Sequence, residues 1–110
     1  MPRRLAMLFV LSALAGCASV TVTPAGGASS YPPRSANCEI EFWPVRPDRP
    51  FEVLGELRAT FAVQDLSVGV REIARQKACA LGADAVIGLH EIVGAAQSGW
   101  AGTVVRYRAQ

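Results

Sequence analysis

Hydrophobic and polar residues alternate along two early stretches of the chain. In Cys38-Glu39-Ile40-Glu41-Phe42-Trp43, Cys38, Ile40 and Phe42 share one face while Glu39 and Glu41 share the other, which is the period-2 signature of a strand with one wet side. Phe51, Val53, Gly55 and Leu57 alternate with Glu52, Glu56 and Arg58 in the same way through about Thr60. Between these strands Pro44, Pro47 and Pro50 remove donors and fix the backbone, so the connection is irregular. The period then changes to that of a helix. Asp65 or Ser67 is a candidate cap for a helix reaching Leu81, with Leu66, Val70, Ile73, Ala74 and Leu81 as the buried stripe and Gly82 placed to end it. Arg71, Glu72 and Arg75 fall outside; Lys77 falls within the stripe, its stem expected along the sheet and its ammonium in water. After Gly82-Ala83-Asp84, the run Ala85 to Val93 is apolar on both sides near its centre, as in an interior strand. A glycine-rich return leads into Trp100 to Arg108, whose alternation and terminal charges read as an edge strand.

The order β-β-α-β-β predicts an α+β, two-layer domain: a mainly antiparallel four-stranded sheet with one helix across one face. Upstream, residues 18–36 are mostly Ala, Ser, Thr, Gly and Pro, with Arg34 the only charge and Tyr31 the only aromatic. That composition reads as a flexible linker, which as a coil would span about 25 Å. Before it, Arg3 and Arg4 precede an apolar run from Leu5 to Leu14, a secretory signal too short to cross a bilayer as a helix.

Leu14-Ala15-Gly16-Cys17 at the end of that signal resembles the lipobox of bacterial lipoproteins. The resemblance implies diacylglycerol on the Cys17 sulfur, cleavage before Cys17, and acylation (palmitate) of the new amino terminus. Ala18 stands where an aspartate would retain the protein at the inner membrane, so the resemblance implies the outer membrane, with the domain facing the periplasm. The expected organisation is a signal peptide over 1–16, a lipidated amino terminus and linker over 17–36, and the small domain over 37–110. Loss of Arg3 and Arg4 leaves nine basic residues against nine acidic ones. A net charge of zero removes the support that the basic pI gave to a nucleic-acid partner.

Two cysteines remain after lipidation, an even number in an oxidising compartment, which favours a Cys38–Cys79 disulfide. Helical spacing sets Cys79 nearly opposite Val70 and Leu81, whereas Cys38 lies on the buried side of its strand. Either the start of the first strand wraps over the outer helix surface, or one face assignment is wrong, or both cysteines stay unpaired as small hydrophobes. Cys38, Cys79 and His90 are the only soft metal donors and lack a ligand spacing, so no metal and no cofactor is expected. His90 and Glu91 point to opposite strand faces, Glu39, Glu41, Glu52 and Glu56 read as a solvated face, and no serine sits in a nucleophile elbow.

Arg75-Gln76-Lys77-Ala78-Cys79-Ala80-Leu81-Gly82-Ala83-Asp84-Ala85-Val86-Ile87-Gly88 resembles the helix-to-strand segment, Ala-x-x-Gly-Ala-Asp/Asn-Ala-Val, shared by two groups. One is a set of small domains named for heavy-metal binding; the other is the outer-membrane lipoprotein that senses envelope stress for the Rcs phosphorelay. The resemblance implies the fold and a place in the cell envelope. No catalytic residues are expected. The leading expectation is a non-enzymatic envelope lipoprotein, a stress-sensing or assembly module, held on the membrane through Cys17 and contacting an envelope protein. Trp43 and Trp100, in the irregular loops, are the expected interaction surface. The alternative is a small ligand- or metal-binding periplasmic module; a small hydrolase or redox enzyme lacks a constellation.

Overall fold

The structure is a computed structural model and describes residues 18–27, 31–61, 67–93 and 98–109. Its elements are β1 (Ala18–Pro24), β2 (Glu41–Phe42), β3 (Phe51–Phe61), α1 (Ser67–Ala80), β4 (Ala85–Val93) and β5 (Ser98–Tyr107). They form a two-layer α+β fold: five strands in the order β1-β3-β5-β4-β2, with α1 packed on one face. The sheet is mixed. Its β1–β3, β3–β5 and β5–β4 pairs are antiparallel, whereas β2 runs parallel to β4 over Glu41–Ala85 and Phe42–Val86.

The fifth strand corrects the expected linker. Ala18–Pro24 pairs with β3 along its whole length, from Ala18 opposite Phe61 to Pro24 opposite Gly55. Composition hid a pattern: in Ser19-Val20-Thr21-Val22-Thr23 the valines alternate with hydroxyl residues, and Val20 and Val22 pack on the core while Ser19, Thr21 and Thr23 stay exposed. Residues 31–38 are held too. Arg34 N–H donates to the Cys79 carbonyl at 2.8 Å, and Tyr31 Oη donates to Glu52 Oε1 at 2.6 Å.

Three further expectations are revised. Cys38–Trp43 shortens to the two residues of β2, since the chain before it follows the helix instead of the sheet. Ser98–Tyr107 lies between β3 and β4, in the sheet interior, because β3 and β4 run the same way and need an antiparallel strand between them. Within α1 the buried row is Val70, Ala74 and Ala78; Ile73, about a quarter-turn round from Ala74, is 44% exposed.

The main core lies between helix and sheet, where Leu54, Leu57, Val86 and Val104 meet Ala74 and Ala78. Alanines on the helix allow close approach to the strands. A smaller cluster, Ala85, Ile87 and Val105 with Phe51 and Tyr107, fills the opposite face. The helix ends in a Schellman motif: Ala83 N–H bonds the Ala78 carbonyl at 3.1 Å, Gly82 N–H bonds that of Cys79 at 3.0 Å, and Gly82 takes φ 76°. Asp84 then fixes the entry to β4. Its carboxylate accepts the Tyr107 N–H at 2.8 Å and Arg34 Nη1 at 3.2 Å.

Candidate interaction site

Cys38 and Cys79 are joined, with S–S 2.02 Å and Cα–Cα 6.0 Å. The conflict of faces is resolved by the wrapping of residues 34–38 over the side of α1. Arg34 bonds the helix end, Arg75 Nη1 donates to the Cys38 carbonyl at 2.6 Å, and Cys79 is fully buried although it points away from the sheet. Arg75 also pairs with Glu72, and that hydrogen bond holds the Glu72 carboxyl below its ordinary value and raises the guanidinium.

The other expected site residues are dispersed. Cys17 lies outside the described residues. Trp43 follows β2, is 44% exposed and donates Nε1–H to Glu41 Oε1 at 3.2 Å. Trp100 sits in β5 between Ala59 and Glu91, half-buried, with its ring edge-on to Phe61 at 5.9 Å. His90 is exposed, and its Nδ1 lies 2.9 Å from the Gly88 carbonyl. Glu52 meets Tyr31 and Glu56 meets the Thr103 hydroxyl, so these carboxylates serve separate contacts. Among the described residues no group of three or more His, Cys, Asp or Glu side chains converges to hold a metal.

The connection from Trp43 to Pro50 forms the most distinctive surface. It leaves β2 with two backbone bonds to β4, Trp43 N–H to the Val86 carbonyl at 2.9 Å and Leu89 N–H to the Trp43 carbonyl at 3.0 Å. It then reaches β3, where Arg108 N–H bonds the Pro50 carbonyl at 3.0 Å. Three prolines keep it out of the sheet. Arg46 stacks over Phe51 at 4.8 Å and Arg49 over Tyr107 at 3.8 Å. With Asp48 and Arg108 they line an open concavity of about 470 Å³. Neither Arg46, Arg49 nor Arg108 makes a salt bridge among the described residues. A guanidinium held over a ring by cation–π attraction spends no N–H on an ion pair there, and its N–H groups suit a carboxylate or phosphate bidentately. Burial pushes the Tyr107 phenol above its ordinary value, and the nearby Glu41 carboxylate pushes it the same way.

Sequence reasoning passed over these arginines because each reads singly as a solvated charge. A signal was present: Arg46 and Arg49 flank prolines five and two residues before Phe51. Two more stacks, Arg71 over Phe42 and Arg106 over Tyr31, join residues far apart in the chain and had no local signature.

No protein-family model and no curated protein matches the chain. Among solved structures, the crystal structure of the Francisella virulence factor FvfA is similar in fold, with TM-score 0.58 and 14% identity over 79% of this chain and 96% of that one. The likeness extends to the fold.

Proposed function

We propose that this protein is a lipid-anchored envelope protein, acylated at Cys17, whose domain acts without catalysis as a protein-interaction module of the sensing or assembly kind. The observation that carries the reading is the exposed loop from Trp43 to Pro50, which combines an accessible indole with arginines stacked in place and without ion-pair partners among the described residues. Such a surface suits a protein face that carries carboxylates. The Cys38–Cys79 disulfide agrees with export, because a structural disulfide persists in an oxidising compartment. It also occupies both thiols of the domain, which disfavours metal or redox chemistry there.

Photo-crosslinking from position 43 in intact cells tests the interaction. The expected result is one discrete adduct that disappears when Arg46 and Arg49 are both changed to Glu; an adduct pattern indifferent to those charges contradicts it.

A further inference from the structure

We propose that the domain stands directly on the bilayer, with the sheet end formed by Ala18, Phe61, Ser98 and Val93 seated in the headgroup region of the leaflet that holds the acyl chains. The orientation rests on the lipidation of Cys17 argued above. Cys17 is bonded to Ala18, so their Cα atoms lie about 3.8 Å apart. Ala18 is already a sheet residue: it pairs with Phe61, Phe61 with Ser98, and Ser98 with Val93. No linker intervenes between the anchor and the sheet, and four strand ends therefore come to one level.

The chemistry of that end suits an interface. Ala18, Ser19, Thr60, Phe61, Ile92, Val93, Ser98, Gly99 and Trp100 are all uncharged, and Val93 is 89% exposed. The nearest charges along these strands are Glu91, two residues in from Val93, and Arg58, three from Phe61, and the sequence leaving β3 carries one, Asp65, four residues after Phe61. At the opposite end Arg46, Asp48, Arg49, Asp84, Arg106 and Arg108 crowd around Phe51 and Tyr107. A strand the length of β3 spans about 35 Å, so the arginine loop faces away from the membrane, toward whatever lies beyond it. Tryptophan favours the headgroup level, and Trp100, opposite Glu91, is about 7 Å along the strand from Val93. Trp43 bonds to Val86 and Leu89, alongside the middle of β4 and about 16 Å from Val93, and its indole donates to Glu41, which lies farther still from that end.

The two tryptophans therefore act as a ruler. Full-length protein is extracted from membranes, its mass is measured, and it is reconstituted into phosphatidylethanolamine/phosphatidylglycerol vesicles carrying a nitroxide headgroup lipid. Trp43→Phe reports Trp100, and Trp100→Phe reports Trp43. The expected result is an acylated mass with Trp100 quenched at least about twofold more than Trp43. An acylated mass with equal quenching, or with Trp43 the more quenched, overturns the orientation and leaves the anchor intact. A mass without acyl groups overturns both.

Discussion

Gly82 shows how much one residue holds. At φ 76° it ends α1, and an added Cβ would lie 2.9 Å from both the Pro32 carbonyl oxygen and Tyr31 Cβ. Gly82→Ala therefore strains the backbone and pushes away the segment that covers the helix; thermal unfolding should show a loss greater than about 1 kcal/mol. Cys38–Cys79 acts on the unfolded chain as well as the folded one. Its separation of 41 residues corresponds to roughly 4 kcal/mol of loop-closure entropy, so reduction or Cys79→Ser should lower the denaturation midpoint sharply. Tyr107 supplies a pH test. Its folded value is raised by burial and by Glu41, so the stability it contributes is complete below the unfolded value near 10 and is lost as pH rises through the folded one. The decline in stability above about pH 10 should be shallower in Tyr107→Phe. Legibility at this scale followed chain distance. The Gly82 cap was readable because helix period, glycine and turn lie side by side, whereas Arg106 over Tyr31 required knowledge of the fold.

At the scale of elements, the strand of Phe51–Phe61, the helix and Ala85–Val93 were legible as elements from their periods, although their faces were only partly so. Burial follows the alternation from Leu57 to Phe61 but breaks at the bulge that exposes Val53 and buries Leu54, Ile73 is exposed in the helix, and β4 is buried on both sides only over Ala85–Ile87. Two elements were not legible. β1 is short, uncharged and built from Ser, Thr and Val, a composition shared with linkers, and its alternation gains meaning only once β3 offers an edge for it. β5 read as an edge strand because Arg106 and Arg108 end it, yet Arg106 lies over Tyr31 and bonds the Gly82 carbonyl at 3.1 Å. An aspartate at position 20 would put a charge where Val20 packs against Ala59, Phe61 and Val70. Val20→Asp should speed amide exchange along β3 and leave β4 and β5 largely protected, since the damage falls at one edge of the sheet.

For the whole molecule, the stretch after Ala18 that composition set apart as a linker joins the domain. Everything described from Ala18 onward belongs to the folded unit, clipped at Cys38–Cys79 and capped by Arg34 and Asp84. The candidate site was half legible: the disulfide pair was readable from an even number of domain cysteines and exposed Trp43 from the proline-rich loop, while the stacked arginines were not. Fold likeness to a solved structure at 14% identity adds no activity, so the functional account stands on anchor, clip and loop. Its most direct measurement is the intact mass of the protein extracted from membranes, with thiols alkylated before and after reduction. The account predicts a chain beginning at Cys17 and carrying acyl groups, with Cys38 and Cys79 alkylated only after reduction. An unacylated chain, or thiols that react without reduction, would contradict it.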